Sequence, residues 1–143
     1  MKHNNDSNYK FFKSPIEFNK ETDRDTLQYC LGGVLYMPGT KNIVNKIMAG
    51  EIFDFKSMVM CFEDAIAETD LIRAEENVLN HLRVISDTLN TESLHLTDVP
   101  LIFIRVRNIN QFVKFTEKLT ASTAKALTGF VFPKLDSTNA TVY

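Results

Sequence analysis

Cysteine is scarce in this chain of 143 residues. Cys30 and Cys61 stand far apart, with no CxxC and no Cys/His cluster. That absence excludes a disulfide framework and a cysteine zinc site, and leaves two reduced, partly buried thiols as the expectation. Histidine is as thinly spread, at His3, His81 and His95. His81 lies inside a helical pattern with no second ligand four residues on, which reads as a surface or packing residue rather than a metal ligand. Charge of one sign is missing as well. The net charge is −2 and the pI about 5.9, with no Lys/Arg cluster longer than a residue or two. No electrostatic footprint for nucleic acid follows from this, and a duplex or polybasic-membrane partner is disfavoured. Long apolar runs are absent too: the opening MKHNNDSNYKFFKSPIEF has no unbroken apolar core of a signal peptide. No run approaches the ~20 residues that span a bilayer, so the expected location is cytoplasmic. No repeat of solenoid period appears.

What is present is an ordinary globular balance, 44% hydrophobic and 24% charged residues, enough for one domain with a sizeable core. Four short apolar runs dominate it: residues 34–39 (VLYMPG), 58–64 (MVMCFED), 101–108 (LIFIRVRN) and 129–136 (GFVFPKLD). Strands apolar through most of their length and separated by helical stretches belong to parallel α/β sheets, in which ligands bind beyond the carboxyl ends. The expected helices are a short one from Ile43 to Ala49, capped by Asn42 and closed by Gly50, and a third from about Asn110 to Leu119. The clearest helix sets Leu71, Ala74, Val78, Leu82 and Ile85 on one face, with Thr69 or Asp70 as N-cap. Residues 88–99 read as a polar connection. Residues 1–28, with Phe11, Phe12 and Phe18, read as an N-terminal extension that docks on the outside or stays mobile; 29–143 form the sheet domain.

The polar residues at the strand ends are the candidates for chemistry. Glu63 and Asp64 are adjacent, so both reach one site only if the backbone turns there; the plainer reading is a buried hydrogen-bonded acid and a loop cap. Arg105 sits between Ile104 and Val106 in an apolar strand, where a solvent-facing salt bridge is the harder reading and a guanidinium at the strand end offers a bidentate grip for an anion. Alternation places Arg107 on the same face. Lys134 and Asp136 follow Pro133 and serve either as site residues or as charged loop caps.

The succession L-Y-M-P-G, F-E-D-A-I-A, I-R-V-R-N and F-P-K-L-D resembles the first half of the HpcH/HpaI aldolase and citrate lyase β-subunit family, in its C–C bond lyase branch. The resemblance implies a (β/α)8 TIM barrel, of which this chain holds the first four βα units, since the whole barrel needs about 250 residues. It also implies a Mg²⁺-dependent lyase or aldolase acting on β-hydroxy acids or their acyl-CoA thioesters, with coenzyme A as part of the substrate. Carried over by motif, Arg105, Glu63, Asp64 and Lys134 are catalytic, and Pro38, Gly39, Arg105, Asn108 and Asp136 bind substrate. The family's Mg²⁺ ligands come from strands 5 and 6, so no metal ligand is assigned in this chain.

There are departures from the family pattern. Cys61 stands where the family has an aspartate, Arg107 where it has an asparagine, Asp136 where it has a glutamate, and Gly32-Gly33 replace its Arg-Ser. The expectation is a truncated lyase, inactive alone, whose partner is a C-terminal half-barrel or a second copy. A non-catalytic α/β binding or scaffold module, or one half of a split barrel, is the alternative.

Overall fold

A computed structural model describes residues 12–52, 55–64 and 66–141. His3 and Phe11 lie outside the described residues, as does Ala65 of the second motif. Four parallel strands lie side by side in chain order: β1 (Val34–Pro38), β2 (Ser57–Cys61), β3 (Leu101–Arg105) and β4 (Gly129–Val131). The α-helices among the described residues are α1 (Arg24–Leu27), α2 (Val44–Met48), α3 (Leu71–Asn90), α4 (Ile109–Thr116) and α5 (Ala121–Ala124), with short 3-10 turns at Glu68–Asp70 and Leu96–Asp98. This is the parallel sheet that the strand runs imply, and the four-unit partial barrel that the resemblance implies. Each strand is shorter than its apolar run, because the polar residues at its end already belong to the following loop.

Period-two alternation gives the sheet two unlike faces. Met58, Met60 and Phe62 from the β2 segment, with Ile102, Ile104 and Val106 from the β3 segment, pack against Ala74, Val78, Leu82 and Ile85 of α3 and Phe115 of α4. That layer is the main core, and the spacing of three and four along α3 is what aims those four side chains at it. Ser57, Val59 and Cys61 lie on the other face together with Leu101, Phe103 and Arg105, by the β2–β3 register.

The N-terminal segment docks on this second face. Phe18 is buried with Leu101, and Leu27, Cys30 and Leu31 pack around them beside Phe103. Ser57 Oγ donates to Leu31 O at 2.6 Å, and Lys20 Nζ donates to Ala124 O and Leu127 O at the end of α5. Of the two expected outcomes for the extension, docking and mobility, these described residues dock, and they do so on the sheet face opposite α3. Leu101 and Phe103 offer an apolar surface without a helix layer above it, and burying it is the stronger demand. At β1 the same face stays open: Tyr36 is 51% exposed and Val34 39%.

Local details also depart from expectation. Asn42 does not cap α2; Ile43 holds the cap position without a side-chain bond, and Asn42 Oδ1 instead faces His81 Nε2. Gly50 does close α2, with φ +68, and Gly50 N–H to Ile47 O and Glu51 N–H to Lys46 O satisfy the last carbonyls. Asp70 holds the N-cap position of α3 without a capping bond and pairs with Arg73 at 3.1 Å. α3 runs on to Asn90, into the stretch read as a polar connection. The Ala/Thr-rich stretch contains α5, started by a reciprocal capping box between Thr120 and Thr123. Among the described residues no helix is long and apolar enough to cross a membrane.

Gly39 follows β1 directly, and its space is the reason for glycine. A Cβ there would stand 2.9 Å from the Phe62 ring and 3.3 Å from Ala74 Cβ, between sheet and α3. Gly39→Ala is therefore expected to destabilise the fold by about 1–3 kcal/mol through overpacking. Urea unfolding measures it, and an unchanged midpoint would show that the ring yields freely.

His81 is the packing residue that the helix pattern indicated, 1% exposed, with Nδ1 unpartnered and Nε2 3.3 Å from Asn42 Oδ1. Burial pushes its pKa below the ordinary 6.5. The unfolded chain then binds this proton at higher pH than the folded one, so the stability is complete above about pH 6.5 and declines as pH falls below it. Asp23 and Asp136, also lowered, act only around and below 3.8. Urea midpoints are expected to fall between about pH 7 and about pH 5, and His81→Leu to flatten that fall.

Candidate active site

Beyond the carboxyl ends of β2, β3 and β4 the chain gathers four charged side chains. Arg105 is the last residue of β3, in register with Cys61 on one side and Val131 on the other. After Phe62, whose N–H still bonds to Arg105 O at 2.9 Å, the backbone leaves the sheet, which is why the adjacent Glu63 and Asp64 escape the alternation rule and both reach the same cation. Arg105 Nη2 pairs with Glu63 Oε2 and, at 2.9 Å, with Asp64 Oδ2. From the end of β4, Lys134 Nζ comes within 3.5 Å of Glu63 Oε1. Two carboxylates and two cations thus balance one another at the mouth.

The members differ in exposure, and the difference sets their roles. The Glu63 side chain is 12% exposed and that of Arg105 22%, whereas Asp64 is 68% and Lys134 83% exposed. Burial opposes the charge on Arg105, yet Glu63 first and Asp64 second hold its pKa above the ordinary arginine value. The guanidinium is gripped at one corner only. Arg105 Nε is buried without a hydrogen-bond partner, and Glu63 Oε2 meets the cation without an aligned hydrogen bond. Cys61 Sγ accepts from the Glu63 N–H at 3.4 Å, which ties the acid's backbone to the strand end.

The other predicted site residues stand elsewhere. Pro38 ends β1 opposite Cys61, and the Gly39 N–H is spent on Cys61 O at 2.9 Å. The Asn108 side chain caps α4, accepting from the Gln111 N–H at 3.0 Å. Asp136 closes a loop of its own, with Oδ1 accepting from Thr138 N, Thr138 Oγ1 and Asn139 N; the Thr138 bonds lower its pKa. Lys134, which begins that loop, has φ +52, a left-handed backbone rare outside glycine.

Arg107 is not a second anion grip beside Arg105. β3 ends at Arg105, and two residues on the Arg107 guanidinium turns to the carbonyls of Phe62 and Ile66 at 3.0 Å each. Behind it lies a group of residues that sequence reasoning missed. The Gln111 side chain accepts from the Arg107 N–H at 3.1 Å and donates to Glu75 at 2.9 Å; Glu75 also takes Lys118 Nζ at 2.6 Å. Glu75 is buried between Ala74 and Val78 on the apolar stripe of α3. An acid on that stripe was the available signal. Beside this group a groove of about 570 Å³ separates α3 from α4.

Residues 25–143 match the family model of C–C bond lyases of the TIM-barrel fold, and the chain belongs to that family. No curated protein matches it. The match fixes the fold as TIM-barrel and the general type of function as that of carbon–carbon lyases and aldolases.

Proposed function

We propose that this member of the C–C bond lyase family binds the carboxylate of a β-hydroxy acid, or of its acyl-CoA thioester, at Arg105. In that reading it works as the HpcH/HpaI and citrate lyase β-subunit branch does. The observation that carries the proposal is the unequal partnership at Arg105. Glu63 is nearly buried and stays; Asp64 is mostly exposed, and an exposed ion pair is worth only about 0–1 kcal/mol. A substrate carboxylate exchanges with Asp64 at little loss, and Arg105 keeps its largely covered partner.

Cleavage of a β-hydroxy acid breaks the bond between the α and β carbons. The hydroxyl gives its proton to a base, in this proposal the Asp64 carboxylate displaced from Arg105, as a carbonyl forms, and the electron pair of the broken bond moves into an enolate. Arg105 faces that developing charge and stabilises it where it forms. Glu63, between Arg105 and Lys134, orients both cations. Among the described residues no three His, Cys, Asp or Glu side chains stand together as metal ligands, and both Glu63 and Asp64 give an oxygen to Arg105. These carboxylates do not fit Mg²⁺ as its ligand set. In this proposal a Mg²⁺ ion takes its ligands from outside the four βα units.

We propose as well that further strands cover the edges of this sheet. Among the described residues β1 and β4 each have one neighbour, and the inner face is open at Tyr36 and Val34. Closing such a sheet into a barrel requires further strands on both edges, from a C-terminal half-barrel or a second copy.

Titrating the chain with a small hydroxy-dicarboxylate such as malate, followed through the Arg105 side-chain nitrogen resonances, tests the binding half of the proposal. The Arg105 and Asp64 signals are expected to move together. Arg105→Ala weakens binding about tenfold or more, the value of a lost charge-assisted hydrogen bond. Unmoved Arg105 signals would favour the non-catalytic scaffold.

A further inference from the structure

We infer that Arg107 is the positioning residue of this site, the clamp that shapes the loop after β2 so that Glu63 and Asp64 meet Arg105. The inference rests on the reading of Arg105 as the functional cation. The loop has no strand or helix of its own at Glu63 and Asp64, and a single five-donor guanidinium spans its two ends. Arg107 Nε donates to Phe62 O and Nη2 to Ile66 O, so Glu63 and Asp64 lie between two tethered carbonyls. A planar fork holds two acceptors in a fixed relation, which an ammonium on a flexible stem does not.

The clamp is itself anchored. Its N–H is held by Gln111, which is 6% exposed, and Gln111 by Glu75, which is 5% exposed. Gln111 belongs to α4 and Glu75 to α3, so the bond between them refers the loop geometry to the helix layer. The surface part of the site, Asp64 and Lys134, makes no comparable tie to that layer among the described contacts. Without Arg107 the backbone ties left within the loop, among the described residues, are Glu63 N–H to Cys61 Sγ and Ile66 N–H to Glu63 O, both long at 3.4 Å and weak holds on two carboxylates.

The test reads the hydrogens of both guanidinium groups by nitrogen-15 NMR in the full chain. In the unmutated chain the Arg107 Nε–H is expected to exchange with water at least about tenfold more slowly than in free arginine; no protection there overturns the inference. In Arg107→Lys, with α3 amides still protected, exchange at Arg105 Nη is expected to rise about tenfold or more as the carboxylates lose their alignment. Arg107→Met, which keeps the stem and removes every donor, should do the same and serves if the lysine variant misfolds. Unchanged Arg105 exchange in a folded variant overturns the positioning role and leaves the function reading standing. Free exchange at Arg105 in the unmutated chain overturns both.

Discussion

Replacing Arg105 with alanine is expected to lower turnover of a β-hydroxy acid or its thioester by about 10²–10³, measured with the barrel closed by its other half. The loss follows from what the guanidinium faces. It is the cation nearest the largely covered Glu63, it ends a strand, and its pKa is held above the ordinary arginine range, so its charge is present at every working pH. Most of the loss should fall on kcat, because charge on the enolate exists only as the bond breaks. Arg105→Lys keeps the charge and should recover part of the rate without the fork's geometry. The variant also leaves Glu63 largely covered beside Lys134 alone, so its melting point must be measured with its rate. Turnover unaffected by Arg105→Ala in a folded protein would remove this residue from the chemistry.

Phe62→Ala is expected to destabilise the chain by about 3–5 kcal/mol, the range for a fully buried phenylalanine. Phe62 has 0% exposure, meets the Phe115 ring edge-on at 5.1 Å, and fills the space that Gly39 leaves. Its carbonyl is also one of the two that Arg107 holds, so the same variant should disturb the acid pair one and two residues on. Gly39→Ala and Phe62→Leu in one chain should be less harmful than the sum of the two, since the smaller side chain admits the new methyl. A double-mutant cycle by urea unfolding reads the coupling. Strict additivity would mean that the contact between Gly39 and Phe62 does not govern the cost of the added methyl.

The sheet was legible because its strands are hydrophobic on both faces and their motifs stand in order with helix-sized gaps between them. α3 was legible for a similar reason: its apolar stripe repeats at the helical period for more than four turns. Helix ends were less so, since a cap depends on where one side chain finds an acceptor. Asn42 is a good cap by type, yet His81 arrives from α3 to take its oxygen. Thr120 and Thr123 form a capping box whose two bonds exist only once the backbone turns into α5.

The same division runs through the site. Residue type and position at strand ends were enough to single out Arg105, Glu63, Asp64 and Lys134 as candidates, because charges at the end of a buried strand are expensive unless paired. Their meeting at one point depends on the backbone leaving the sheet after Phe62, which no periodicity announces. Arg105 and Arg107 look equivalent by alternation, and the end of β3 between them separates a cation at the mouth from a clamp on the loop. The N-terminal segment likewise shows its aromatic residues in the sequence but not the surface they cover. Local pattern reports what a segment must bury; which segment comes to bury it is a long-range contact, decided only when Leu101 and Phe103 are left bare and Phe18 and Leu31 are within reach.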